Sequence, residues 1–146
     1  MDINYQISKN FNLSEFITSP TAIRKGYKEQ MQPSDDVVDN IEALVINLLQ
    51  PIRDLLPFGS IHITSGYRCK RLNDSVGSKD TSQHLSGMAA DISYFEDGVK
   101  NNKKLFDTIK KSTLVYDQLI DEYNLSWVHV SYNRKGNNRK QSFKIK

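Results

Sequence analysis

The chain has 146 residues, a net charge of +3, and 38% hydrophobic and 25% charged residues. That composition suits a single folded domain over residues 1–146 and excludes a disordered chain. No apolar run is long enough to span a bilayer, and a lone cysteine, Cys69, excludes both an intrachain disulfide and a cysteine-rich zinc site.

In chain order, residues 1–10 read as a loose arm or an edge strand, without the basic start and apolar run of a secretory signal. The expectation is therefore synthesis in the cytoplasm, with release needed for any work outside. Asn12 and Glu15 form a capping box that opens a short helix through Phe16 and Ile17. Pro20 ends it or begins a second turn at Thr21–Lys25, closed by Gly26. Ser34, Asp35 and Asp36 cap a long pattern of Val37, Val38, Ile41, Leu44, Val45, Leu48, Leu49, Ile52 and Leu55, which predicts the main core helix, kinked at Pro51.

Ser60–Ser65 reads as a strand with Ile61 and Ile63 on one face, and residues 66–83 as a long irregular stretch. Met88–Tyr94 predicts a second strand. Asp97 and Gly98 are read as opening a basic amphipathic helix with Val99, Leu105, Phe106 and Ile109 as its apolar side. Val115–Ile120, Ser126–Tyr132 and Gln141–Ile145 complete the strands. The order predicts an α+β fold, a small antiparallel sheet with helices on one face. The basic tail from Asn133 to Lys146 lacks the interleaved aromatics of a nucleic-acid platform, so no nucleic-acid partner is expected.

Strand alternation singles out two residues. In Trp127–Tyr132 the apolar set is Val128, Val130 and Tyr132, which leaves His129 on the opposite face. In Ala89–Tyr94 the apolar set is Ala90, Ile92 and Tyr94, which leaves Asp91 opposite. His84 precedes the second strand, with Gly87 allowing a sharp turn between them. Two histidines and a carboxylate can hold zinc with a position left open for water, whose pKa the metal lowers to about 7. Taken alone, each of these residues is also compatible with an ordinary surface or core position.

The segment Ser82-Gln83-His84-Leu85-Ser86-Gly87-Met88-Ala89-Ala90-Asp91 fits the pattern SxHxxGxAxD at every fixed position. It resembles the D-alanyl-D-alanine metallopeptidase family, which groups with lysostaphin-type enzymes and the hedgehog signalling domain. Ser65-Gly66-Tyr67-Arg68, Leu72-Asn73, Val76-Gly77, Gln118-Leu119-Ile120 and Trp127–Ser131 look like its phage-associated branch, so the resemblance covers residues 11–145. It implies a fold of the hedgehog and D-Ala-D-Ala peptidase type, with a zinc cleft on the sheet face away from the helices. It implies Zn2+ held by His84, Asp91 and His129, and hydrolysis of peptide bonds in bacterial peptidoglycan stem peptides by a carboxypeptidase or an endolysin-type endopeptidase. It further implies that Arg68 binds a substrate carboxylate or the scissile carbonyl, and that the protein acts on the cell wall after phage lysis or within a virion, as a monomer unless part of one.

Many relatives carry an acid three positions before the last histidine, where this chain has Ser126. Glu122 is the residue chosen as general base, with Asp121 as the alternative. The serine also keeps a second reading in play, a zinc-bearing but non-catalytic virion or wall-binding module. His62 is read as lining the sheet rather than as a ligand, and Cys69 as a packed thiol rather than a nucleophile. Trp127 and Tyr67 are read as either cleft lining or packing.

Overall fold

A computed structural model describes residues 2–146; Met1, the first residue of the expected arm, lies outside them. The arm is a small hairpin, β1 (Gln6–Ser8) and β2 (Phe11–Asn12), tied to the helices by Gln50, whose side chain bonds Ser8 and Asn10. The capping box forms as expected. Glu15 N–H donates to Asn12 Oδ1 and Asn12 N–H donates to Glu15 Oε2, opening α1 (Ser14–Ile17). Pro20 is the first residue of α2 (Pro20–Lys25), and Gly26 ends it at φ +74°.

The long apolar pattern forms α3 (Asp35–Leu44), a π turn (Val45–Leu49) and α4 (Gln50–Leu55). The irregularity expected at Pro51 takes the form of this π turn. Proline offers no N–H to the carbonyl four residues back and its ring crowds that carbonyl, and a wider turn relieves both.

The main sheet contains β3 (Ser60–Ser65), β4 (Ala89–Glu96), β5 (Val99–Lys100), β6 (Gln118–Glu122), β7 (Trp127–Ser131) and β8 (Gln141–Ile145). Its strand order is β3-β4-β7-β6-β8, with β5 paired to β4. All pairs are antiparallel except β6 and β8, which are parallel and so depart from the expected antiparallel sheet. The reason is one reversal. Residues 132–140 turn the chain back after β7 and deliver β8 to the far side of β6, so β8 opposes β7 and follows β6.

Three other expectations are corrected. Asp97 and Gly98 form the β4–β5 hairpin turn, both at positive φ, and not a helix start. Val99 is exposed, and α6 (Asn102–Lys111) begins later, capped by Asn101 Oδ1 on the Lys104 N–H. The stretch 66–83 is not wholly irregular, since it holds α5 (Lys70–Ser75) and runs into a 3-10 turn at Gln83–Ser86. The strand expected at Val115–Ile120 is β6 at Gln118–Glu122, which brings Glu122 inside the sheet.

One sheet face is apolar. Ala90, Ile92, Tyr94, Leu119, Val128 and Val130 pack on Ile41, Leu44, Leu48, Leu49 and Ile52 of α3–α4 and on Leu105 and Ile109 of α6. The architecture is α+β, and the opposite face is left for a cleft. No helix among the described residues is long and apolar enough to cross a membrane.

Candidate metal centre

β4 and β7 lie side by side in a register that sets Asp91 opposite His129. Both point away from the core, because Ala90, Ile92, Val128 and Val130 take the core face. His129 Nδ1 lies 3.0 Å from Asp91 Oδ1, and His84 Nε2 lies 3.4 Å from the same oxygen. One ligand atom from each residue falls within 4.8 Å of the others, and all three residues are buried.

His84 is placed by its backbone. The 3-10 turn is capped by Ser82 Oγ, which accepts from the His84 N–H, and is closed by Gly87 at φ +77°. His84 Nδ1 lies 2.7 Å from the Gly66 carbonyl oxygen and donates to it, leaving the Nε2 lone pair free to bind a cation. Gly66 can supply that carbonyl because it has no side chain; a Cβ there would sit 2.5 Å from the Phe16 carbonyl oxygen. Two imidazole nitrogens and a carboxylate oxygen, converging and buried, are a donor set that suits zinc. Burial pushes the Asp91 carboxyl up, but the His129 and His84 imidazoles beside it outweigh that and hold it below the ordinary carboxylate range.

Glu122 ends β6 opposite Trp127. Its Oε1 lies 3.8 Å from His129 Nδ1, and its Oε2 accepts a 2.6 Å bond from Trp127 Nε1. The turn that follows holds Tyr123, Asn124 and Leu125 all at positive φ, between 51° and 59°. Asp121 is spent on that turn, its Oδ1 accepting from the Leu125 N–H, and it does not line the cleft. Ser126 Oγ donates to the Tyr123 carbonyl at the exposed end of the same turn. Of the two acids weighed from the sequence, Glu122 is the one beside His129.

Arg68 enters from the loop after β3. Its Nη2 lies 3.9 Å from Asp91 Oδ2, Nη1 donates to Asn73 Oδ1 at 3.1 Å, and Nε donates to Ser65 Oγ at 3.3 Å. Burial lowers the Arg68 pKa, opposed first by Asp91 and then by Glu122, and the guanidinium stays charged.

The cleft over these residues has a volume of about 1050 Å³. The Val76–Gln83 segment borders one side and the Tyr123–Trp127 turn another. His62 lies outside it, exposed, bonded to Ser60 and tilted against the Phe95 ring. Cys69 is buried with Ala22 and Leu72, and Tyr67 packs against that cluster. Trp127 both lines the cleft and holds Glu122.

Sequence reasoning missed several supports. Gly66, buried Asn73 and buried Gln30 hold the loop that carries Arg68. Gln30 Nε2 donates to the Ile17 and Tyr67 carbonyls while its Oε1 accepts from the Cys69 N–H. Gly66 had a visible signal, a glycine at a strand end next to the arginine. Gln30 had none, because its partners are 13 to 39 residues away; Asn73 stood in a matched segment, but its bonds to Arg68 and Lys79 across the α5 loop follow no local pattern.

Residues 9–131 match the model of a protein family described as Peptidase M15. No curated protein matches the chain.

Proposed function

We propose that this chain, which belongs to the peptidase M15 family, is a zinc-dependent hydrolase of peptide bonds in bacterial peptidoglycan stem peptides. Membership implies a metallopeptidase; the wall substrate and the phage setting rest on the resemblance of the signature and its flanking segments. The observation that carries the reading is the convergence of His84, Asp91 and His129 beside a carboxylate, Glu122, that bonds none of them.

His84 Nε2, an Asp91 carboxylate oxygen and His129 Nδ1 are the atoms that would hold the metal. Zinc bound there supplies Lewis acidity, which stabilises charge on a carbonyl oxygen and acidifies water. Glu122 takes the proton from the attacking water and delivers it to the leaving amine nitrogen. Trp127 keeps that carboxylate turned toward His129. Arg68, steadied by Asn73 and Ser65, grips a substrate carboxylate or the scissile carbonyl. We read the chain as one domain of the hedgehog and D-Ala-D-Ala peptidase type, monomeric unless part of a virion, reaching the wall after phage lysis or on a virion.

Ser126 is the one feature that favours a zinc-bearing, non-catalytic module. Glu122 weakens that reading, because it offers a carboxylate in the same cleft from another strand position. The test is mass spectrometry of muropeptides incubated with the zinc-loaded protein, with and without chelator. New amino and carboxyl ends that vanish with chelator, and vanish together with zinc in His84→Ala, are expected. Bound zinc with no cleavage of any wall type would favour the non-catalytic module.

A further inference from the structure

The floor of the cleft does not stop at the metal-ligand candidates. Asp91 of β4 is opposite His129 of β7, His129 is opposite Ile120 of β6, and Ile120 is opposite Phe143 of β8. Residues opposite one another across a ladder share a face, so these four side chains form one row across the sheet. With strands about 4.8 Å apart, Phe143 stands roughly 10 Å from His129. A second row runs alongside it, from Trp127 through Glu122 to Ile145.

Phe143 and Ile145 both line the cleft and are 42% and 40% exposed. An edge strand gains nothing in solubility from two open apolar side chains, and natural edges favour charge there. The patch lines the same cleft as the candidate centre, and its few side chains fall far short of the roughly 20–30 residues a side that a stable protein interface uses. It is also held firmly. Arg139, just before β8, clamps the buried Asp117 carboxylate through Nε and Nη2, and the Gln141 N–H donates to the Asp117 carbonyl. β8 lies beyond the residues that the family model matches.

We propose that β8 is a substrate-binding strand, on which Phe143 and Ile145, with Ile120, form an apolar subsite. It takes the methyl and methylene groups of the peptide flank lying away from Arg68. The identity of that peptide rests on the peptidase reading.

The test uses the zinc-loaded full chain in a Glu122→Gln background, so that peptide is not consumed. Binding of a stem pentapeptide ending in D-Ala-D-Ala is compared by calorimetry with binding of the D-Ala-D-Ala dipeptide, which is too short to span the floor. Phe143→Ala and Ile145→Ala should each weaken pentapeptide binding about tenfold and leave the dipeptide unchanged. Phe143→Leu should restore most of the affinity. Both side chains are open to solvent, so the variants should melt like the parent. Parental pentapeptide affinity in both alanine variants, equal losses for both peptides, or no pentapeptide binding at all would overturn the subsite. The two readings fail differently. Phe143-dependent binding by a chain that cuts nothing keeps the subsite and removes the peptidase. Cleavage indifferent to Phe143→Ala and Ile145→Ala keeps the peptidase and removes the subsite.

Discussion

Glu122 is the residue on which the proposed chemistry turns, and its surroundings say how to test it. One carboxylate oxygen is held by the Trp127 indole and the other lies 3.8 Å from His129 Nδ1. Glu122→Gln keeps the volume and an oxygen for the indole but removes the proposed base. Turnover of muropeptides should fall by about 10²–10⁴-fold, with zinc content by elemental analysis unchanged. Trp127→Phe leaves the carboxylate in place without its tether and should lower kcat by about 10–100-fold, the usual scale for a group that orients another. If the tryptophan acts through the glutamate, the double variant should be no slower than Glu122→Gln alone. A further drop in the double variant would mean that Trp127 acts on substrate directly.

At the scale of elements, two devices bring separate segments to one place. Asp117, just before β6, accepts from Gln83 in the His84 turn and from Arg139 ahead of β8. The Arg139 guanidinium, outweighing burial, lowers the Asp117 pKa to about 2. A depressed carboxylate contributes stability above its unfolded pKa and loses it as pH falls through the folded one. The contribution is therefore complete above pH ~4 and lost toward pH 2. Half-exposed Arg139 is partly screened by solvent, so the effect is of order 1 kcal/mol. Thermal melts should show the wild type losing more stability between pH 6 and pH 2 than Asp117→Asn, which cannot ionise. The second device is the contact of Gly66 with α1. Gly66→Ala would press a Cβ to 2.5 Å from the Phe16 carbonyl and 2.8 Å from its Cα, backbone atoms that cannot swing aside. The strand end must then move, and the carbonyl that fixes His84 moves with it. Destabilisation of about 1–3 kcal/mol should accompany weaker zinc binding in a competition titration, although position 66 donates no ligand.

Across the whole molecule, what could be read from sequence was whatever local pattern decides. The run from Val37 to Leu55 repeats at helical spacing, and Asp91 and His129 interrupt alternating strands on the polar side, so the core helices and the two candidate ligands on the sheet were visible. Helix α5 was not, because Leu72 is its only large apolar residue and nothing periodic marks it. Asp97-Gly98 suits a helix start or a hairpin equally on paper, and only the pairing of β4 with β5 decides. The extent of β6, which takes in Glu122, is set by its pairing with β7 and β8, and Asp117 just before it is held by Arg139, 22 residues away; no window of sequence displays either. The candidate centre is likewise non-local: its donors come from the turn at Gln83–Ser86, from β4 and from β7. Metal binding at such a junction is coupled to folding, since the unfolded chain holds no preformed site. At free zinc a hundredfold above Kd, stabilisation should be about 2.7 kcal/mol, which for a chain of this size raises Tm by roughly 6–10 °C. Scanning calorimetry should show that shift in the wild type and its loss on adding chelator. His129→Ala should lack it, while His62→Ala should keep it, because His62 is exposed and lies against Phe95 away from the cleft. An undiminished shift in His129→Ala would place the metal elsewhere, and a shift lost in His62→Ala would tie binding to the outer edge of the sheet.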